Sequence, residues 1–241
     1  MKRYVLIPVT IVVLCVVALT SWISLTHEDN TKIPMRTVTD AIGTEVVIPQ
    51  HPKRVVILNS ANLDMYYAVG GTVVGKPTSS YISKEIREKT KDVPAVGTLH
   101  SPSVEAIIGL HPDLVIGINV PFNTNLRDIL AQADIPLYIN DLDTYDDVVT
   151  TLTFFGELTN QPDVAKATAD KAMANYNKLV DDAKKQKGPR SLIIFGAPGS
   201  FSMATSKAFS GNLLELLGGH NIAIWRPALT AIMCRSAWSM W

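Results

Sequence analysis

His100 is the residue of this chain best suited to bind a metal ion. It lies in the short segment Gly97-Thr98-Leu99-His100-Ser101, just before a stretch with the features of a helix N-terminus. Neutral imidazole is a common ligand of transition metals. The alternative is that the ring caps the loop or makes a hydrogen bond within it. The other histidines lie in turn-like settings beside Pro or Gly, or in a polar linker: His51, His111, His220 and His27.

The sequence contains no motif of the common enzyme classes. It has no P-loop, no G-x-S-x-G elbow, no H-E-x-x-H and no closely spaced set of metal ligands. The glycines of Gly196-Ala197-Pro198-Gly199-Ser200 follow a predicted strand but do not form the dinucleotide fingerprint. We therefore expect binding rather than catalysis. An α/β enzyme and a membrane-tethered adhesion or sensor module are the alternatives.

Composition narrows the class of protein further. The chain has 241 residues, a formal net charge of zero and 47% hydrophobic residues, which is enough for one or two ordinary cores. A neutral chain without interleaved basic and aromatic residues is not expected to bind nucleic acid. Its two cysteines, Cys15 and Cys234, indicate no disulfide framework.

The N-terminal segment is predicted to meet a membrane. Lys2 and Arg3 precede an uncharged, mostly apolar run from Tyr4 to Leu25, about the length that spans a bilayer. Residues 1–26 are predicted to be a signal peptide or membrane anchor, and 27–35 a linker. Cys15 is a candidate lipidation site, although the bulky Leu14 precedes it; the alternative is a plain apolar residue of the span. The rest of the chain is therefore expected outside the membrane, anchored to its outer face or periplasmic.

Residues 36–160 alternate short apolar runs with amphipathic ones. A hairpin is predicted first, followed by strands and helices, and such alternation predicts a parallel sheet covered by helices. Ligand contacts are then expected at the loops beyond the carboxyl ends of the strands. After the hairpin over 36–48, the predicted strands are 54–59, 73–75, 114–116 and 136–139, and the predicted helices are 63–69, 101–110 and 125–133.

A long helix and a second βα pattern follow. Pro162 begins a helical stretch that runs to about Lys187, with apolar residues at three- and four-residue spacings. We predict a connecting helix over 161–188 and part of a second α/β lobe over 189–223. That lobe begins with the strand Ser191–Phe195, continues through a loop rich in small residues, and contains the helix Asn212–Leu217.

This organisation resembles the helical-backbone receptors of ABC importers, which bind siderophores, cobalamin or heme. The resemblance covers residues 36–223 and implies two Rossmann-like α/β lobes joined by a single long helix. The segments that carry it are 53–58, 96–116 and 212–223. Two further segments, Gly75–Ser79 and Phe195–Thr205, are most similar to the heme-binding lipoproteins of Gram-positive bacteria.

The resemblance implies an extracytoplasmic substrate-binding protein that captures an iron chelate, heme above all, and delivers it to a membrane permease. Siderophore or cobalamin binding by the same fold is the alternative. His100 is then expected to be an axial ligand of the heme iron, at a place where the heme lipoproteins carry Met. Imidazole is itself a common axial ligand, so this departure is chemically tolerable.

Further ligand contacts are expected from the loops around the cleft. Polar side chains could hold carboxylates, and aromatic rings could stack on a flat macrocycle, although loop aromatics often pack on their own lobe. Met203 is either an alternative axial donor or a core residue. These candidates are Ser60, Asn62, Tyr81, Phe122, Ser200, Phe201 and Met203.

Two expectations concern the surface and the end of the chain. The resemblance implies that Glu105, off the apolar stripe of its helix, pairs with arginines of the permease; a solvated charge near a helix N-terminus is the alternative. Residues 224–241 contain no acid and carry three of the four tryptophans. We expect them to be foreign to the family, through a frameshift or premature stop, which leaves the second lobe incomplete. Residues 190–241 are then expected to be less protease-resistant than the first lobe.

Overall fold

Short strands and helices alternate along the chain. The computed structural model describes residues 33–185, 188–197 and 200–223. The strands are β1 (Met35–Thr39), β2 (Glu45–Pro49), β3 (Val55–Ile57), β4 (Gly97–Thr98), β5 (Ser101–Pro102), β6 (Leu114–Ile118), β7 (Leu137–Asn140), β8 (Arg190–Ser191), β9 (Ile194–Ala197), β10 (Ser200–Met203) and β11 (His220–Asn221). The helices are α1 (Ser60–Ala68), α2 (Lys84–Lys89), α3 (Val104–Gly109), α4 (Pro121–Thr124), α5 (Arg127–Ala131), α6 (Tyr145–Leu158), α7 (Pro162–Lys184) and α8 (Phe209–Leu216).

A three-stranded parallel sheet, in the order β3-β6-β7, forms the centre of the first lobe. Both of its faces are buried, which explains why the strands are continuous apolar runs rather than alternating ones. Val55 and Ile57 belong to one core cluster, in which Tyr66 packs edge-on against Phe155. Val56 belongs to the cluster on the opposite face, with side chains from α3 and α5. The predicted parallel sheet covered by helices is confirmed.

The hairpin β1–β2 is tied to the sheet at its turn. The backbone N–H of Ala41 donates to the carbonyl oxygen of Ile139 over 2.9 Å. Arg127 forms an ion pair with the fully buried carboxylate of Asp40. Because a buried carboxylate needs a partner, this pair fixes the hairpin beside β7.

Helix α7 joins the lobes. It packs against α6, and the small residues Ala165 and Ala169 are buried at this contact. At the far end of α6, the ring of Tyr145 stacks on Tyr176 of α7 with centroids 4.2 Å apart, and Phe209 of α8 lies 6.3 Å from Tyr145. Aromatic packing therefore connects the first lobe, the long helix and the second lobe.

The second lobe contains two short strand pairs and α8. Strand β8 pairs with β11 in parallel, while β9 and β10 form an antiparallel hairpin. Asn221 fixes the loop before α8, since its Nδ2 donates to the carbonyl oxygen of Ala204 over 2.9 Å. The protein is thus an α/β fold with two lobes joined by a single long helix, as predicted.

Several local predictions were wrong. The predicted strand Ser191–Phe195 is divided between β8 and the start of β9, and the predicted loop after it contains β10. The segment 73–75 is not a strand: Gly75 makes one isolated bridge to Val56, and Lys76 makes one to Ala95. The third helix begins at Val104 rather than Ser101, because residues 101–102 form β5 and Ser103 is the N-cap.

The membrane-facing and C-terminal predictions lie outside the described residues. This applies to the predicted signal or anchor with Cys15, and to the tail 224–241 with Cys234. Across the ranges that the structure does describe, no helix combines the length and apolar character needed to cross a bilayer.

Tyr66 gives a prediction about alkaline stability. Burial raises the pKa of its phenol well above the ordinary value of 10.0, and the nearby charge of Asp113 adds to this. The folded state therefore binds the phenol proton more tightly than the unfolded state does. This difference stabilises the folded protein fully below about pH 10, and the stabilisation is lost progressively above that pH. We expect Tyr66→Phe to lose less stability than the wild type between about pH 9 and 11, measured by urea unfolding at each pH. Parallel losses in both proteins would contradict this.

Candidate functional site

A cavity of about 290 Å³ opens at the carboxyl end of β3. It is bounded by the start of α1, the loop after Lys76 and the tip of the β4–β5 hairpin, so three separate segments meet there, as expected for a parallel α/β sheet. Its volume is close to the lower end of the range for small-molecule sites. The lining residues are Asn59, Ser60, Pro77, Thr78, Ser79, Ser80, Tyr81, Thr98, Leu99 and His100.

The tip of the β4–β5 hairpin carries His100. Its position is fixed by the backbone at Gly97 and by hydrogen bonds of Asn123. Gly97 has φ +97°, and a Cβ there would lie 2.4 Å from the carbonyl oxygen of Ser101, so only glycine fits. Asn123, which is fully buried, accepts a hydrogen bond from the N–H of Ile118 (3.1 Å) and donates to the carbonyl oxygen of Leu99 (3.4 Å). The tip is therefore anchored to the end of β6.

The imidazole of His100 projects from this tip. It is exposed and makes an edge-to-face contact with Phe122, with ring centroids 5.2 Å apart and planes at 87°. Within the described residues, neither ring nitrogen makes a hydrogen bond, so the predicted alternative of a loop-bonded histidine is not seen. An aromatic contact orients the ring while leaving its nitrogens available to a metal ion.

The loop from Lys76 to Tyr81 forms the opposite wall. Ser79 Oγ accepts a hydrogen bond from the N–H of Tyr81 (3.1 Å), and the guanidinium of Arg87 donates to the carbonyl oxygens of Ser80 (3.2 Å) and Ile82 (3.0 Å). Tyr81 is 87% exposed, so its ring is free to cover a ligand. The loop is thus fixed through its backbone, and Thr78, Ser80 and Tyr81 are exposed.

The described lining of the cavity is uncharged. None of the residues that line the cavity in the described part of the chain is an acid, a lysine or an arginine. Among the same described residues, no group of three or more His, Cys, Asp or Glu side chains could hold a metal ion. This chemistry suits a ligand that brings its own metal and needs one further donor, rather than a bare cation.

Phe201 and Met203 lie on the β9–β10 hairpin of the second lobe. In the register of this pair, Phe201 faces Gly196 and Met203 faces Ile194, so the Phe201, Met203 and Ile194 side chains share one face. Phe201 is 72% exposed and Met203 44% exposed. Ser200 lies at the start of β10. Phe201 and Met203 thus present an exposed apolar face, and Met203 is not a core residue among the described residues.

Asn62 does not line the cavity. It is fully buried in α1, and its amide forms a reciprocal pair with Asn140, in which each Nδ2 donates to the other Oδ1 over 2.8 Å. Asn140 also donates to Thr151 Oγ1 over 3.1 Å. Asn62 is the third residue of α1, and its side chain points back into the lobe. It joins α1 to β7 directly, and to α6 through Asn140.

Glu105 is exposed in the first turn of α3, within 3.2 Å of Ser103 Oγ. Both the docking role and the solvated-charge alternative are compatible with this position, so the docking role stays a prediction.

Of the residues that line the cavity, only Ser60, Tyr81 and His100 were predicted as ligand contacts. Asn59 and Asn123 are examples of residues that were not predicted. Asn59 lines the cavity just before α1, and Asn123 anchors the hairpin. The polar turn after a buried strand was a usable signal for Asn59. No local pattern marks Asn123, because its role depends on two segments that are distant in sequence.

Comparison with known families decides the assignment. Residues 55–227 match the periplasmic binding protein family. The chain belongs to this family. The match includes all three strands of the parallel sheet, the cavity and the long helix, so the predicted resemblance is confirmed.

Three similar proteins illustrate the relationship. This periplasmic binding protein is 30% identical over 214 residues, or 88% of its length, to the high-affinity heme uptake system protein IsdE of Staphylococcus aureus strain Newman. The crystal structure of IsdE with heme covers 72% of this chain and 66% of that chain at 29% identity and a TM-score of 0.64. The crystal structure of an ABC transporter substrate-binding protein from Listeria monocytogenes EGD-e covers 73% of this chain and 67% of its own chain at 25% identity, with a TM-score of 0.65.

SirA of S. aureus, solved with staphyloferrin B, shares the fold alone: its TM-score is 0.62 at 22% identity, with 78% of this chain and 64% of that chain covered. The chain spans 66% of the length of IsdE.

Proposed function

We propose that this periplasmic binding protein captures heme outside the membrane and delivers it to the permease of an ABC importer. The observation that carries the proposal is the exposed His100 imidazole, held against Phe122 at the rim of an uncharged cavity, with no hydrogen bond to its nitrogens within the described residues. Ferric heme needs an axial donor, which His100 would supply, and apolar surfaces, to which Leu99, Tyr81 and Phe122 would contribute. IsdE, a heme uptake protein by name, supports this choice of chelate.

Two walls are proposed for the macrocycle. Tyr81, Phe122 and His100 would form the first-lobe wall, with Ser60 among the polar groups. The exposed face of Phe201 and Met203 would form the second-lobe wall, and Ser200, at the start of β10, stays a proposed contact. We propose that these walls bind the ligand and do not act on it chemically.

Delivery requires attachment to the membrane and contact with a permease. We propose residues 1–26 as the signal or anchor, with Cys15 as a candidate for lipidation, and Glu105 as the first-lobe contact to permease arginines. The proposed domain limits are 36–160 for the first lobe, 161–188 for the connecting helix and 189–223 for the second lobe. An exposed carboxylate at the edge of a protein interface is expected to affect mainly the rate of association with the permease and the salt dependence of that rate.

A hemin titration of the purified full-length chain tests the proposal. We expect a saturable Soret band with one hemin bound per chain, and no comparable quenching of tryptophan fluorescence by a ferric siderophore or by cobalamin. Binding of either of those ligands without a hemin-induced band would replace heme by the alternative chelate. Binding of none of them would refute the proposal.

A further inference from the structure

A second cavity, of about 240 Å³, lies at the amino end of β3. It is lined by Tyr66 and by the segments 51–53, 70–72 and 158–160. The first of these segments leads into β3, and the other two lie at the ends of α1 and α6. This cavity shares no residue with the cavity that carries His100, which lies at the carboxyl end of the same strand.

The two helix ends at this cavity are closed by their own backbone. Gly70, with φ +79°, donates its N–H to the carbonyl oxygen of Tyr67 over 3.1 Å. Gly71 donates to the carbonyl oxygen of Tyr66 over 2.9 Å. Asn160, with φ +56°, closes α6 in the same way. Carbonyl oxygens at the negative ends of both helices thus already have partners, so the side chains decide which ligand fits.

Tyr66 is the most deeply buried polar side chain of this cavity. It is 2% exposed, and within the described residues its Oη makes no hydrogen bond. Burial and then the charge of Asp113 raise the pKa of this phenol, so its hydroxyl end lies towards Asp113. That carboxylate accepts the N–H of Lys53 over 2.7 Å, which puts the hydroxyl beside the segment 51–53. Buried polar groups nearly always have a hydrogen-bond partner, so the free hydroxyl points to a ligand in the cavity.

His51 and Lys53 offer opposite hydrogen-bonding character. His51 Nδ1 lies 3.1 Å from the carbonyl oxygen of Glu157, which can only accept, so Nδ1 carries the proton and Nε2 of the neutral ring is an acceptor. Lys53 is exposed, and its ammonium pairs with no carboxylate among the described residues; the exposed Thr72 adds a hydroxyl. The described lining contains no acid. The cavity therefore combines one positive charge, hydroxyl donors and one acceptor.

We infer that this cavity is a binding site for inorganic phosphate. Lys53 and the hydroxyl of Tyr66 would donate charge-assisted hydrogen bonds to its ionised oxygens. His51 Nε2 would accept from the P–OH group that phosphate keeps near neutral pH. Sulfate has the same shape but no such proton, so it would leave this acceptor unpaired. The site is additional to the proposed heme site and does not depend on it.

A melting-temperature titration of the purified full-length chain tests the inference. Near neutral pH, we expect a saturable rise of about 3 °C or more once phosphate exceeds its dissociation constant by about tenfold. Sulfate at equal ionic strength is the matched control, because both anions stabilise proteins generally by exclusion from the surface. Its affinity should be at least about tenfold lower. An equal, saturable rise with sulfate would overturn the inference.

Three variants assign the effect to this cavity. Lys53→Gln keeps the main-chain hydrogen bond to Asp113 but removes the charge, and it should weaken phosphate binding by at least about tenfold. Tyr66→Phe removes the hydroxyl and should weaken it by about threefold or more. Lys171→Gln removes an exposed lysine from α7 and should change nothing. Wild-type phosphate affinity in Lys53→Gln would contradict the assignment.

Two further arms define the ligand. His51→Ala should narrow the difference between phosphate and sulfate, because it removes the acceptor that distinguishes them. Glycerol 3-phosphate is largely without a P–OH proton near neutral pH, since the second pKa of a phosphomonoester is about 6. It should therefore bind more weakly than inorganic phosphate. Tighter binding of this ester would overturn the assignment to free phosphate.

Hemin titrations of the same variants separate this site from the proposed heme site. Lys53→Gln and Tyr66→Phe should bind hemin with wild-type affinity, because the two cavities share no residue. A wild type that binds phosphate but not hemin would leave this inference standing while the proposed function fails. A wild type that binds hemin and shows no specific phosphate effect would overturn this inference alone.

Discussion

Replacing His100 with alanine is expected to lower hemin affinity by at least about tenfold, or about 1.4 kcal/mol, and to shift the Soret band of the complex. Of the residues that line the cavity in the described part of the chain, His100 is the one that carries an imidazole. Its ring is exposed at a hairpin tip, so its removal should leave the melting temperature nearly unchanged. Visible spectra and hemin titrations of the two proteins provide the measurement.

Two variants define the chemistry of that loss. His100→Met keeps a donor with the ligand type expected at this place in heme lipoproteins, so it should retain hemin with a spectrum different from those of both wild type and His100→Ala. His220→Ala removes an exposed histidine from β11 and should change neither the spectrum nor the affinity. An unaltered Soret band and affinity in His100→Ala would remove this histidine from the coordination of iron.

The second large effect is expected on stability, at the Asn62–Asn140 pair. Asn62→Ala or Asn140→Ala leaves the partner amide buried with its polar atoms unpaired. One such group costs roughly 1–3 kcal/mol, so we expect each variant to lose about 2 kcal/mol or more of unfolding free energy. Urea unfolding monitored by circular dichroism measures the loss, and exposed Asn125→Ala is the matched control.

The paired replacement tests the cause. Asn62→Leu with Asn140→Leu removes both amides together, so the double variant should be more stable than the sum of the single leucine replacements predicts. Folded Asn62→Ala should bind hemin with wild-type affinity, because its side chain lies in the core. A well-folded Asn62→Ala protein that had lost hemin binding would return Asn62 to the ligand site.

Features that depend on local pattern were predicted well. The predicted strand Arg54–Asn59 contains β3. The helix predicted from the apolar spacing after Pro162 contains α7, which ends at Lys184. Both signals come from burial periodicity within a single segment. The resemblance to the receptor family then supplied the two-lobe arrangement that no single segment contains.

Features that depend on contacts between segments were not predictable in the same way. Asn62 was expected in the cleft because it follows a strand, but its position in the first turn of α1 directs it toward Asn140, 78 residues away. Ser101–Pro102 has the composition of a helix start. The chain instead reverses at Leu99 and His100 and pairs this segment with β4, in which Gly97 has φ +97°, and only a folded backbone reveals that.

At the anchored hairpin tip, the side chain offered to a ligand can change without a change in the stability of the fold. These two properties usually change together in proteins. Asn123 holds Leu99 through its main-chain oxygen, so the anchoring of the tip does not depend on the side chain at position 100, which contacts Phe122. A donor can therefore be exchanged at this point without repacking any core residue. Under the proposed function, a substitution at position 100 would change the iron ligand while the stability of the fold stays nearly constant.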